Sequence, residues 1–150
     1  MNKPGIAIVP AQKTDFTQLL GLWIKTELDL ASQAEECQEY LMMLKLNPAS
    51  CFVAKSKKSI VGSVLGIFNG RRAWIYHLAV DPNWQQQHIG SQLLQKAENA
   101  LVKQGAAKVR LWVDFTNLNV VPFYKKHGYN VIPSDAIMLG KTIAKGGEIV

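Results

Sequence analysis

The chain is poor in cysteine, with only Cys37 and Cys51 in 150 residues. Two thiols cannot build a disulfide framework, so a packed core must hold the fold, and free thiols suit a reducing cytoplasm. No apolar run approaches the roughly 20 residues that span a bilayer. The opening Met1-Asn2-Lys3-Pro4-Gly5 lacks the apolar stretch of a signal peptide. A cytoplasmic protein with no membrane partner is therefore expected. Acidic residues are also scarce, 11 against 17 basic ones, for a formal charge of +6. None lies between Glu39 and Asp81. The positive balance suits a phosphate-rich ligand or an acidic partner. The cations are scattered, however, and no Arg-rich recognition helix or interleaved aromatic–basic strand is present, so no nucleic-acid partner is expected. Repeats, linkers and low-complexity segments are absent. The length suits a single domain, 1–150, with a Gly- and charge-rich tail, 144–150, expected to fray.

What the chain does contain is a regular alternation of apolar patterns. Gly5 to Val9 reads as a first strand. Thr14 or Asp15 caps a helix with the stripe Phe16, Leu19, Leu20, Trp23. A second helix starts at Ser32, with Glu35 completing a capping box. Its predicted buried face is Cys37, Tyr40, Leu41 and Leu44, and Asn47-Pro48 ends it. Strands are predicted at Cys51–Ala54, Ile60–Phe68 and Ala73–Val80, with Asn69-Gly70 as a hairpin turn. A helix over Ile89–Lys103 stops at Gln104-Gly105. A strand over Val109–Val113 follows, then a short helix over about Asn119–Lys126 with Pro122 in its first turn. Tyr129–Ile132 and Ala136–Leu139 read as closing strands. Hairpins mixed with helical crossovers imply a mixed α/β sheet.

The stretch around which the rest is organised runs from Leu78 to Leu94. An apolar strand, Trp74–Val80, turns at Asp81-Pro82 and crosses the polar run Gln85–His88. It then enters a helix with Ile89, Leu93, Leu94, Ala97 and Leu101 at helical spacing. The first N–H groups of a helix have no intrahelical acceptor, and the helix dipole favours an anion there. The N–H groups of Gln86 through Ser91 are thus candidates to hold a phosphate.

These residues resemble the acetyl-CoA loop of the GCN5-related N-acetyltransferase (GNAT) superfamily, Arg/Gln-x-x-Gly-x-Gly/Ala between a Val-x-Pro strand end and a Leu-Leu helix. Val80-Asp81-Pro82, Gln85, Gly90 and Leu93-Leu94 match, and His88 replaces the usual first Gly. His enters the left-handed backbone region more readily than most residues. A second segment, Asn117 with Phe123-Tyr124 and Gly128-Tyr129, is similar to the family's Asn-x-x-Ala-x-x-Phe-Tyr-x-x-x-Gly-Phe/Tyr run, with Val120 in place of Ala. The resemblance implies the GNAT acyltransferase fold, an α/β fold whose mostly antiparallel sheet splays at the cofactor and is flanked by about four helices. It implies acetyl-CoA as co-substrate and no metal. The implied contacts are Leu78, Ala79, Val80, Gln85, Gln86, Gln87, His88, Ile89, Gly90, Ser91, Asn117 and Tyr124. The main chain of Leu78 and Val80 would pair with the pantetheine, and the Val80 N–H would face the oxyanion. Tyr124 is the implied proton donor to the leaving thiolate. The Glu that many relatives carry on the strand before the loop is missing, which leaves Tyr76 and His77 as candidate bases. Strand alternation sends these two to opposite faces unless a bulge intervenes. With a reference pKa near ~6.5, His is the better base. Glu27, Asp29 and Asp114 are the alternatives, as is capture of amine that is already deprotonated. The implied acceptor is a small-molecule amine or a protein amine, and the implied assembly is a monomer or homodimer. A non-catalytic acyl-CoA-binding module on the same fold is the competing reading, supported by His88 and the missing Glu and opposed by Tyr124.

Overall fold

A computed structural model describes residues 5–144. Contacts divide the chain into two units at Asn117/Leu118, described in turn. Apart from Ala144, the tail expected to fray lies outside the described residues.

The first unit holds β1 (Ala7–Pro10), α1 (Phe16–Lys25), α2 (Gln33–Leu46), β2 (Cys51–Ser56), β3 (Ser59–Phe68), β4 (Ala73–Val80), α3 (Ile89–Lys103) and β5 (Val109–Arg110). The strands form one sheet in chain order. The first three pairings are antiparallel, and β4 pairs with β5 in parallel. A parallel neighbour requires a long crossover, and α3 supplies it.

At the start of α2, Ser32 Oγ accepts the Glu35 N–H at 3.2 Å, as expected, but the Glu35 carboxylate accepts from the Ser32 hydroxyl at 2.8 Å instead of from its backbone N–H, so the reciprocal half of the capping box is not formed. Ahead of α1, the Asp15 carboxylate accepts the Gln12 N–H at 2.9 Å. The buried face of α2 differs from expectation. It comprises Glu36, Tyr40 and Leu44, while Leu41 is exposed and Cys37 half-buried. The i, i+4, i+8 stripe therefore includes an acid, which a search for apolar periodicity passes over.

Strand β3 is buried from Ile60 through Leu65 because both sheet faces are covered, which turns the usual alternation into a continuous apolar run. On one face, Leu19, Leu22 and Trp23 of α1 and Tyr40 and Leu44 of α2 pack on Cys51, Val53 and Leu65. On the other lie Leu93, Leu94, Ala97 and Leu101 of α3, all essentially inaccessible to solvent. Gly62 sets how closely α3 approaches, since a Cβ there would come within 2.9 Å of Leu93 Cδ1, while a Cβ on Gly66 would instead meet the Ser50 carbonyl oxygen at 2.8 Å.

The β4–β5 ladder is short. It contains Ala73↔Val109 and Trp74↔Arg110 and goes no further, so the strand predicted over Val109–Val113 is cut to its first two residues. The register of β3 against β4 shows a separate irregularity further along the strand. Ser63 faces Ala79 but Leu65 faces Tyr76, so β4 carries one extra residue at His77–Leu78. A bulge bends its strand and disrupts pairing beside it. The sheet edge from Ile75 to Val80 is left without a strand partner among the described residues. Beyond the ladder, Trp74 and Trp112 stack with centroids 5.8 Å apart.

The second unit contains α4 (Val121–Lys126), entered through a 3-10 stretch that begins at Phe115. Val120 is its N-cap, and Pro122 lies in the first turn as expected. Gly128 follows with φ +91°. The two closing strands are not formed, since no ladder includes Tyr129–Ile132 or Ala136–Leu139 among the described residues. Alternating apolar residues become a strand only where an edge accepts their main chain. Between the two segments, Pro133 lacks a backbone donor.

Candidate active site

The bulge in β4 organises the site. Before it, pairing of Tyr76 with Leu65 and of Trp74 with Ile67 sets one alternation of main-chain direction. After it, the Asp81 N–H donates to Val61 O at 2.8 Å and Ala79 pairs with Ser63. The extra residue has therefore reversed the alternation, and the N–H and C=O of Leu78 and Val80 turn away from β3 toward the open edge. The main chain of Ala79 is engaged with β3, and its methyl is buried. Val80 O already accepts a hydrogen bond from Gln85 Nε2 at 3.2 Å.

The loop after β4 is fixed by Asp81. Its Oδ1 accepts the Asn83 N–H at 2.9 Å, and its Oδ2 receives Lys25 Nζ, also at 2.9 Å. Gln85, Gln86, Gln87 and His88 are exposed. Gln86 and His88 both take left-handed backbone, with φ +65° and +62°. His88 thus adopts the conformation that the usual glycine would supply, and it is the N-cap of α3. Ile89 is buried, so its side chain serves the core, while Gly90 and Ser91 are half-buried in the first turn. The amides of Gln86 through Gly90 find no acceptor among the described residues. This is a run of outward donors at a positive helix end.

His77 occupies the bulge with φ +47°, a strained conformation for a residue with a Cβ. Three contacts hold it. Its carbonyl accepts Ser63 Oγ–H at 2.7 Å. Ser63 Oγ in turn accepts the indole N–H of Trp23 at 2.9 Å. The imidazole meets the Trp23 ring edge-on at 4.5 Å between centroids. Nε2 lies 3.1 Å from Glu36 Oε2. Glu36 Oε1 accepts the Ala31 N–H at 3.0 Å, so this carboxylate joins the α1–α2 connection to β4. Neither its isolation in the helical pattern nor its distance of 41 positions from His77 makes Glu36 conspicuous in the sequence. The available signal was its place four residues before Tyr40 and eight before Leu44 on the buried stripe.

Tyr76 precedes the bulge and is partly exposed. Burial, then the Glu39 carboxylate, raises its phenol above the usual value. The Glu39 carboxyl is itself raised, first by desolvation and then by Glu36 and Glu35, with His77 opposing. Tyr76 and His77 therefore both lie in the field of the same stretch of α2. Asp114 is a poor base, because hydrogen bonds from the Thr116 N–H and hydroxyl hold its carboxyl below the usual range. The same bonds make it a turn residue, with the Asn117 N–H on its carbonyl at 2.9 Å. Asn117 itself sits at a kink, with φ −128° and ψ 32°. In the second unit, Tyr124 packs against Phe123 and Tyr129. Burial pushes its phenol up to about 12.

Comparison with known proteins gives a consistent picture. Residues 14–129 match the model of the Acetyltransferase (GNAT) family. An acetyltransferase of Pectobacterium atrosepticum is 30% identical over 137 residues, covering 91% of this chain and 95% of its own. The structure of Ard1 from Thermoplasma volcanium superposes with a TM-score of 0.75 at 25% identity, covering 85% of this chain and 84% of that one. The PaiA N-acetyltransferase of Thermoplasma acidophilum, solved with coenzyme A, gives a TM-score of 0.71 at 20% identity, covering 87% and 93% respectively.

The Trp23–Ser63–His77 chain yields a test by stability. Ser63→Ala leaves a buried indole N–H and a carbonyl without partners and is expected to cost about 1–3 kcal/mol. Urea denaturation measures the loss. An unchanged midpoint would show that the chain does not hold the bulge.

Proposed function

The chain belongs to the GNAT acetyltransferase family, and on that premise we propose that it transfers an acetyl group from acetyl-CoA to a primary amine by direct attack on the thioester. The observation that carries the reading is the junction of β4 and α3. An unpaired strand end, with the main chain of Leu78 and Val80 turned outward, leads directly into a loop of unsatisfied amides from Gln86 to Gly90. An extended amide-bearing arm ending in a pyrophosphate fits such a surface, as an added strand followed by an anion at a helix N-terminus. Ser91 and Gln85 flank that anion, and Asn117 is assigned to the pantetheine arm.

Acetyl-CoA supplies an activated acyl carbon and a stable thiolate leaving group. The protein's residues do the rest. The Val80 N–H stabilises the oxyanion, a role that is typically worth about 3–4 kcal/mol where one such donor has been removed. An alkylamine titrates near ~10.4 and is mostly protonated at neutral pH, so it must lose a proton before it attacks. His77 takes that proton. Tyr76, whose raised phenol stays neutral, serves the acceptor as a hydrogen-bonding neighbour and not as the base. Tyr124 donates to the departing sulfur. With its phenol near 12, it is fully protonated at neutral pH, so the donor is always loaded. The burial that raises this phenol would also raise a thiolate leaving beside it, which keeps the transfer from becoming steeply uphill. The acceptor is a small-molecule or protein amine.

Two substitutions test the assignment. Gly90→Asp places a carboxylate where the pyrophosphate would bind. An acid in the first turn favours the helix itself, so the fold should persist while acetyl-CoA binding falls at least about 100-fold, the scale of ~2.7 kcal/mol. Calorimetry showing near-normal affinity would remove the loop from the site. Tyr124→Phe should lower turnover about 10- to 100-fold, within the range of lost acid catalysis, with acetyl-CoA affinity changed by no more than a few-fold. Unchanged turnover with a confirmed acceptor would remove Tyr124 as the acid.

A further inference from the structure

Glu36 is one of few buried acids among the described residues, and its place in the first turn of α2, where the helix dipole favours an acid, engages only its Oε1 with the helix start. It is 3% exposed and lies on the helix stripe it shares with Tyr40 and Leu44. Its two oxygens are both committed, Oε1 to the Ala31 N–H at 3.0 Å and Oε2 to His77 Nε2 at 3.1 Å. The partner imidazole is fixed on its other sides by the strained backbone at φ +47°, by Ser63 on its carbonyl and by Trp23 against its ring. A buried carboxylate aimed at one imidazole nitrogen decides which nitrogen carries the proton, because a carboxylate only accepts.

We propose that Glu36 is a positioning residue that makes His77 a base. It holds the proton on Nε2 and leaves the lone pair on Nδ1. The inference rests on the acetyltransferase reading above for the identity of the reaction. In that step the ammonium gives one proton to Nδ1 and the neutral amine attacks. The N–C bond to the acetyl carbon forms, the C–S bond breaks, the thiolate takes the Tyr124 proton, and the second proton, shed by the new amide nitrogen, restores the Tyr124 phenol through solvent. The imidazolium formed in this way is paired with the Glu36 carboxylate, with Glu39 as the next acid on α2 and the neutral Tyr76 beside it on β4. From α1 the ring meets the uncharged indole of Trp23. This accounts for the absence of an acid on β4 itself, since the carboxylate reaches the bulge from α2 and acts through the imidazole.

Glu36→Gln makes the test sharp. The Ala31 N–H still needs an acceptor, so the Gln oxygen should stay there and its NH2 should face His77. A donor at that place demands a lone pair on Nε2 and reverses the tautomer. Ring-nitrogen NMR of the ¹⁵N-labelled protein, at a pH that keeps imidazoles neutral and with His77 assigned by His77→Asn, should find Nε2 protonated in the native protein and Nδ1 protonated in the variant. Turnover is measured as CoA release from acetyl-CoA, using the amine most active among amino acids, polyamines and peptides. Glu36→Gln should lower kcat roughly 10- to 100-fold, the usual scale for losing a group that orients an imidazole, with KM for acetyl-CoA within about three-fold. Native His77 protonated on Nδ1, or a variant with native tautomer and native kcat, overturns the proposal. Full turnover by His77→Asn would overturn the base assignment itself. Turnover lost in His77→Asn but intact in Glu36→Gln would overturn only the role of Glu36. The native spectrum needs no variant, so a Glu36→Gln protein that failed to fold would still leave the tautomer to decide.

Discussion

One extra residue in β4 is the constraint on which the rest of the site depends. Inserted opposite Val64, between the pairs Ser63↔Ala79 and Leu65↔Tyr76, it turns the main chain of Leu78 and Val80 to the outer edge. The ladder to β5 stops short of it, after two rungs. The extra residue also carries His77 into a left-handed conformation. A strained residue persists only where its surroundings over-determine it. Here α1 contributes Trp23, β3 contributes Ser63 and α2 contributes Glu36, so three separate elements meet at one backbone irregularity.

The second requirement is a correctly placed α3, because its first turn supplies the amides proposed to bind the anion. Its position is set by core packing. Ile89, Leu93, Leu94, Ala97 and Leu101 are buried against the sheet, and Gly62 lets the helix close on β3 without a side chain between. Asp81 then joins the turn to α1 through Lys25. As a partly exposed pair, that contact contributes little to stability. Its value is geometric, because it ties the start of the loop to the helix that carries Trp23. The loop and the His77 bulge are thus both referenced to α1.

Much of this was legible in the sequence. The α3 stripe, the Ser32 cap, the Asn69-Gly70 turn and Pro122 in a first turn are local signals, and local chemistry reads locally. The His88 substitution was legible in the same way, because its left-handed backbone is what the missing glycine implies. The GNAT fold followed from two spaced motifs. Features that depend on distant partners were not legible. The bulge is a register fact between β3 and β4, and apolar alternation within Ala73–Val80 does not encode it. Glu36 meets His77 across 41 positions, and an acid within an apolar stripe reads as an exposed residue until the stripe is seen to be buried. The predicted strand at Val109–Val113 had the right pattern, but only its first two residues pair with β4, and the segments after Tyr129 enter no ladder among the described residues.

The most direct measurement is the release of free CoA from acetyl-CoA across a panel of amino acids, polyamines, aminoglycosides and peptides with free N-termini or lysines, run alongside calorimetry with acetyl-CoA alone. The account predicts acetyl-CoA binding without any acceptor and turnover that rises sharply with one class of amine. Absence of acetyl-CoA binding would contradict it at its centre, since the open edge of β4 and the amides at the start of α3 would then serve some other ligand.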